Sequence, residues 1–227
     1  MIKISQNNIE QTWDCIAQSF DKTRKMPWIA CVQFIRKLNS NSIIGDFGCG
    51  NGRHTLPCAK HCKRVIALDL SSNLLNIVKD KTYLQHYQNV SVIHASLTNL
   101  PIRDNYFDAI IAIASIHNIP YKKNRVASLR EIFRVLKKDG KALITVWSKN
   151  QEKFQDFKKI QKKKTIESDQ YIYWNQDNLH IPRYYHLYDK EELFQDITHA
   201  GFNNIHIDEL SIANKKNTDN YFAYVVK

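Results

Sequence analysis

An α/β fold, with a mostly parallel sheet covered by helices on both faces, is predicted by three observations. Apolar runs of strand length alternate with helical periodicity between Ile43 and Trp147. The first run, Ser42-Ile43-Ile44-Gly45, opens directly into Asp46-Phe47-Gly48-Cys49-Gly50-Asn51-Gly52, a Gly-x-Gly-x-Gly turn. The next run, Arg64-Val65-Ile66-Ala67-Leu68, is closed by Asp69. Glycines at this spacing let the backbone turn sharply out of a strand and approach a ligand, and an acid about 20 positions later can accept both hydroxyls of a ribose. Asp46 opens the loop and no Gly-Lys-Ser/Thr follows, so the turn is unsuited to phosphate and suited to a ligand carrying an ammonium group.

The elements follow in order. Residues 9 to 38 read as two helices, with Ile9, Trp13, Ile16 and Phe20 at helical spacing and Met26-Pro27-Trp28 introducing the second; together they form an N-terminal helical lid over residues 1–40. Strands are predicted at 43–47, 64–68, 90–94, 107–112 and 142–147, and helices at 54–61, 72–81 and 125–135. A helix over 190–200 precedes two further strands, 204–210 and 221–226, joined through Asn214-Lys215-Lys216-Asn217 as an antiparallel hairpin. Between them, residues 148–188 read as an irregular insertion. It leaves the C-terminal end of the 142–147 strand, where open α/β sheets bind their ligands, so it is placed to roof a substrate. Lys158, Lys159, Lys162, Lys163 and Lys164 crowd it, and Tyr171, Tyr173 and Trp174 follow. Interleaved cations and rings suit nucleic acid; a solvated helix face beside core aromatics is the alternative.

With 227 residues and 43% apolar content, the chain fits one domain, 1–227, with one core. The N-terminus is polar and no run approaches the roughly 18 apolar residues of a bilayer span, which leads us to expect a cytoplasmic protein. Five cysteines, an odd count without paired spacing, read as reduced thiols. Thirty-three Lys and Arg against 22 Asp and Glu give a formal charge of +11, which favours a polyanionic partner but also arises in Lys-, Asn- and Ile-rich genomes. His54, Cys58, His61 and Cys62 imitate a metal motif. On a helix the outer two lie about 12 Å apart along the axis, too far to share one tetrahedral zinc, and no metal is expected. Cys49 has no neighbouring base in sequence and reads as a small loop residue.

Several segments resemble known families. The glycine turn with Asp69, Leu100-Pro101-Ile102-Arg103-Asp104-Asn105-Tyr106-Phe107-Asp108-Ala109-Ile110-Ile111, and Arg134-Val135-Leu136-Lys137-Lys138-Asp139-Gly140-Lys141 are similar to the class I S-adenosylmethionine-dependent methyltransferases. Ser19-Phe20-Asp21-Lys22-Thr23-Arg24-Lys25-Met26-Pro27-Trp28, Ile113-Ala114-Ser115-Ile116-His117-Asn118, Tyr171-Ile172-Tyr173-Trp174-Asn175 and above all Arg183-Tyr184-Tyr185-His186-Leu187-Tyr188 resemble one family within them, the tRNA wobble-uridine carboxymethyl methyltransferases. The likeness covers nearly the whole chain. Asn118 stands where the family has a second His, and Ser96 where many members have an acid.

The resemblance implies a Rossmann-like, seven-stranded sheet ending in the antiparallel hairpin. It implies S-adenosyl-L-methionine held by Asp46, Gly48, Gly50, Gly52, Asp69, Leu70, Ser96 and Leu97. It implies a tRNA substrate whose 5-carboxymethyluridine is esterified, with Arg24, His117, Arg183, Tyr184 and His186 on the substrate side, and a heterodimer with a small zinc-binding activator subunit seated on the edge strand Val90-Ser91-Val92-Ile93-His94. Two alternatives share part of these signals: a small-molecule methyltransferase acting on a quinone or metabolite, and a non-catalytic RNA-binding protein on the same fold.

Overall fold

The computed structural model describes residues 6–152, 154, 167–210 and 218–227. The lysines at 158, 159, 162, 163 and 164 and the hairpin loop 214–217 lie outside the described residues. The chain runs α1 (Gln6–Thr23), α2 (Ile29–Arg36), β1 (Ile43–Phe47), α3 (Thr55–His61), β2 (Arg64–Asp69), α4 (Ser72–Leu84), β3 (Val90–His94) and β4 (Phe107–Ile113). A 3₁₀ turn (Ile116–Asn118) leads to α5 (Lys122–Val135) and β5 (Leu136–Trp147). There follow β6 (Asp169–Trp174), β7 (Ile181–His186), α6 (Lys190–His199), β8 (Asn204–Leu210) and β9 (Asn220–Val226).

Seven strands form one sheet in the order β3-β2-β1-β4-β5-β9-β8. The first five are mutually parallel, and β9 runs antiparallel between β5 and β8. The order reverses between β1, which leads to the left half, and β4, which leads to the right. This is the class I methyltransferase arrangement, as expected. Central strands are near-continuous apolar runs because helices cover both faces. On one face Phe47, Phe107, Leu129, Ile132, Leu193 and Phe202 meet under α5 and α6. On the other, Cys31, Ile35, Ile44, Val65, Ile111 and Phe222 meet under α2 and α3. β3 is an edge strand and is only half-buried along its length.

The insertion is not irregular throughout. Asp169–Trp174 and Ile181–His186 pair as a separate antiparallel two-stranded sheet. The strand signal was hidden because both faces of this ribbon carry aromatic residues, so there is no apolar–polar alternation to read.

The lid is fastened by side chains. Asp14 Oδ1 accepts from Ser71 Oγ at 2.5 Å and from the Asn73 N–H at 3.0 Å, while Ser71 Oγ caps α4 by accepting from the Leu74 N–H at 3.1 Å. Asp21 accepts from Asn51 Nδ2 at 2.7 Å and pairs with Lys81. Trp174 Nε1 donates to Ser19 Oγ at 2.8 Å, tying α1 to the two-stranded sheet. Between lid, large sheet and small sheet lies the site.

Candidate active site

A cavity of about 650 Å³ opens over the C-terminal ends of β1, β2, β4 and β5, the crevice where the strand order reverses. Its floor is the glycine loop. Gly48 and Cys49 donate their N–H groups to the Leu68 carbonyl at 2.7 and 3.0 Å, which folds the loop back onto β2. Gly48 has φ +70°, and a Cβ there would sit 2.4 Å from Ser115 Cβ, so no other residue fits. Gly50, at φ +55°, lines the cavity, and a Cβ there would touch Phe20 at an ordinary contact distance of 3.6 Å.

Asp69 lines the cavity beside this loop. Its Oδ2 accepts from the Gly50 N–H at 2.8 Å and its Oδ1 from the Ser71 N–H at 2.9 Å. Burial raises its pKa, against the opposing pull of those backbone donors. A carboxylate has about four acceptor positions, so these backbone donors leave acceptor capacity for a ligand. Leu70, Ser96 and Leu97 continue the same wall. The Ser96 hydroxyl is engaged locally, 2.9 Å from Thr98 Oγ1.

Two of the expected cofactor residues are placed otherwise. Asp46 does not line the cavity; it is 1% exposed under the loop, where its Oδ2 accepts from the Thr55 hydroxyl at 2.6 Å. Burial pushes its carboxyl up to about 7, despite the Thr55 hydrogen bond. Gly52 likewise turns away, with a hypothetical Cβ meeting Val78 Cγ2 at 3.1 Å. Both shape the loop from beneath because a strand-to-helix turn can present only part of its backbone to one side.

Arg24, His117 and Arg183 come together in the cavity wall from α1's end, the 3₁₀ turn and β7. Arg183 is 7% exposed; its Nη1 donates to the Tyr185 hydroxyl at 2.5 Å, and its Nε has no hydrogen-bond partner among the described residues. Its guanidinium lies over Trp174 at 4.9 Å, Tyr185 at 5.1 Å and Trp13 at 5.8 Å. Burial lowers its pKa, with Arg24 contributing in the same direction, yet an arginine remains charged. Arg24 lies 5.5 Å over Trp174 and 5.8 Å over Phe20. His117 Nδ1 accepts from the Trp147 N–H at 3.0 Å, and its ring stacks on Tyr185 at 5.4 Å. Asn118 Nδ2 donates to the Ala114 carbonyl at 2.8 Å and so closes the 3₁₀ turn.

Tyr184 and His186 are not in this wall. Successive strand residues face opposite sides, so Arg183 and Tyr185 face the cavity while Tyr184 and His186 face away. There the Tyr184 hydroxyl donates to Asp169 Oδ1 at 2.7 Å, and His186 reaches Asp169 at 2.7 Å through Nδ1 and Glu192 Oε1 at 2.8 Å through Nε2. Three wall residues escaped the sequence reading. Tyr185 would have followed from a period of two starting at Arg183. Arg53, directly after the glycine turn, lines the cavity with its guanidinium 5.3 Å over Trp28, and burial lowers its pKa to about 10. Trp13 lines the cavity from α1, where its helical spacing signals only a buried face.

Cys49 is inert: burial raises its thiol well above the usual range, and Asp69 and Asp46 push the same way. His54 Nε2 accepts from the Trp28 N–H at 3.1 Å, and His61 Nε2 contacts the Leu38 carbonyl at 2.8 Å, so both imidazoles bind backbone. Among the described residues no group of three His, Cys, Asp or Glu side chains is arranged to hold a metal ion, and no helix is long and apolar enough to cross a membrane.

The family model described as a methyltransferase domain matches residues 45–144. A Xenopus tropicalis protein named tRNA (carboxymethyluridine(34)-5-O)-methyltransferase is 34% identical over 149 residues, 66% of this chain and 22% of the relative. A Schizosaccharomyces pombe protein of the same name is 29% identical over 216 residues, 88% of this chain and 90% of that one. In sequence the chain is similar to the tRNA carboxymethyluridine methyltransferase family and carries a match to a methyltransferase domain. It spans 21 to 24% of the length of the first vertebrate members of that family it matches. The fold is shared with a Methanosarcina mazei S-adenosylmethionine-dependent methyltransferase at TM-score 0.71 and 18% identity, covering 89% of this chain and 98% of that one. It is also shared with a structure described as a complex of the Haloferax volcanii Trm112 methyltransferase activator with a methyltransferase, at TM-score 0.70 and 13% identity over 98% and 97% of the two chains.

Proposed function

We propose that this chain methylates the carboxylate of 5-carboxymethyluridine at the wobble position of tRNA, giving the methyl ester, with S-adenosylmethionine as donor. One observation carries the reading. Arg183 is a nearly buried guanidinium with an unpartnered Nε, and it faces the same cavity as the glycine loop and Asp69. Burying such a charge without an anion is costly, so the cavity is built for an anionic occupant. A carboxylate is the acceptor that the family's named members would present.

The cofactor fits the residues present. Asp69 retains acceptor capacity for ribose hydroxyls, Gly50 lines the cavity, and Leu70, Ser96 and Leu97 offer an apolar and hydroxyl wall for adenine. When bound, the cofactor supplies an electrophilic methyl group on a sulfonium. The protein's own task is placement. The substrate carboxylate is ionised at pH 7, so no general base is required, and alignment with exclusion of water can provide effective molarities of order 10⁵ to 10⁸ M. Arg183, with its fixed fork, orients the carboxylate; the lid residues Trp13 and Phe20 exclude water; Arg24 takes a flanking phosphate or the second carboxylate oxygen. His117, held by the Trp147 N–H and the Tyr185 ring, positions the uracil edge.

A cytoplasmic location and a heterodimer with a small zinc-binding activator accompany this reading. Support for the partner comes from the open edge at β3 and from the shared fold with the Haloferax methyltransferase described in complex with an activator. The test is mass spectrometry of tRNA nucleosides after incubation with the purified protein and cofactor. Appearance of the carboxymethyluridine methyl ester is expected; its absence, with the activator present, overturns the reading.

A further inference from the structure

The face of the β6–β7 ribbon that turns away from the cavity carries large aromatic residues in solvent. Tyr171 is 52% exposed and Tyr173 47% exposed. Two positions apart on one strand, they share a face and stand about 7 Å from each other. Tyr173 already stacks on the His180 ring, centroids 4.3 Å apart and planes at 18°, so its other face is open in a plane fixed by the protein. Tyr171 meets Tyr184 edge-on at 6.1 Å. A third exposed ring neighbours the cavity wall in sequence. Tyr121 is 43% exposed and directly follows Pro120, a wall residue, with φ +65°, a strained backbone for a bulky residue. Tyr121 lies within electrostatic reach of Tyr171, whose phenol is raised first by burial and then by Tyr121. Lys122 and Lys123 follow, both exposed, Lys122 pairing with Asp196 at 3.2 Å.

We propose that Tyr121, Tyr171 and Tyr173 form a stacking track, leading out of the cavity, for unpaired bases that flank the nucleotide being methylated. The proposal rests on the tRNA reading above and adds to it a surface outside the active site. Stacking on rings is indifferent to sequence, since every base has a π-face, and the lysines beside the track take phosphates. Charge selects the occupant: the chain carries +11, and lysine is depleted from the centres of protein–protein interfaces.

The test uses an anticodon stem-loop RNA with 2-aminopurine beside the target uridine, titrated with the full chain. Wild type should quench the fluorophore by stacking. The double variant Tyr171→Ala/Tyr173→Ala should lose the quench and bind roughly tenfold or more weakly, while Tyr171→Phe/Tyr173→Phe should retain both. Cofactor affinity and circular dichroism should be unchanged in all three. In methylation assays the alanine variant should raise KM for tRNA with kcat preserved. If wild type quenches and the alanine variant loses the quench while no protein methylates tRNA, the track stands and the catalytic reading falls. If wild type methylates tRNA and the alanine variant matches it in quench and KM, the track is overturned. It is equally overturned if wild type fails to quench, or if the substitutions instead abolish self-association, which would give the surface to a second copy of the chain.

Discussion

The Gly50 N–H donates to Asp69 Oδ2 at 2.8 Å, so the glycine loop after β1 and the acid at the end of β2 hold each other in position. The bond couples the two halves of the cofactor signature. Removing the carboxylate therefore takes away both a ligand acceptor and the brace of the loop. Asp69→Ala should weaken cofactor binding by roughly 1.5 to 3 kcal/mol, the range for hydrogen bonds to a charged group, and calorimetric titration checks it. An unchanged affinity would remove Asp69 from the site.

Arg183→Ala should depress methylation about ten- to a hundredfold while leaving cofactor affinity intact, if the guanidinium holds the substrate carboxylate as proposed. Arg183→Lys should rescue little. A lysine cannot reproduce the fork or the flat contact with Trp174 and Tyr185. Parallel loss of cofactor binding in a titration would reassign the residue.

His186→Ala and Tyr184→Phe should act on stability. His186 bridges Asp169 on the ribbon to Glu192 on α6, and its loss leaves two carboxylates without that partner, costing about 1 to 3 kcal/mol. Urea denaturation should register the loss, and kcat measured on the folded fraction should be close to that of wild type. A large fall in kcat without a change in stability would return His186 to the active site.

Asp46 gives a pH signature. Its carboxyl is raised from 3.8 to about 7 by burial, so between those values the folded state holds a proton that the unfolded state has released. The associated stability is fully present below about pH 4 and is lost as pH rises through 7, up to roughly 4 kcal/mol. Asp46→Asn keeps an acceptor for Thr55 and cannot ionise. Denaturation at pH 5 and pH 8 should show a smaller difference for the variant than for wild type; an identical difference would mean Asp46 does not titrate in this range.

The edge strand offers a clean probe of the partner. The Val65 N–H bonds to the Asn89 carbonyl at 2.9 Å and the Ala95 N–H to the Asp69 carbonyl at 3.1 Å. By alternation, residues 91 and 93 face β2, and the Val92 N–H points to the open edge. Val92→Pro should remove an outward donor without breaking the β2 ladder, and co-purification with the activator should be lost while the chain stays folded. Retained pairing would place the partner elsewhere.

What was legible in the sequence was whatever is local. Strand and helix periodicity, the three glycines and Asp69 depend on neighbours a few positions away. These gave the α/β sheet, its antiparallel finish and the loop at its centre. The β6–β7 ribbon was not legible, because its two faces meet different surroundings that do not write a polar alternation into Asp169–Trp174.

The sheet, the glycine turn and the family likeness rest on backbone conformation and short-range spacing and are written locally in the chain. Which side each candidate residue faces is set by long-range packing. Arg183 and Tyr185 look into the cavity while Tyr184 and His186 look out, and Asp46 lies beneath the loop it opens. The reason is physical. A side chain's facing depends on strand register and on what packs against each face, and for Arg183 that packing is supplied by Trp13 on the lid, 170 positions away in the chain.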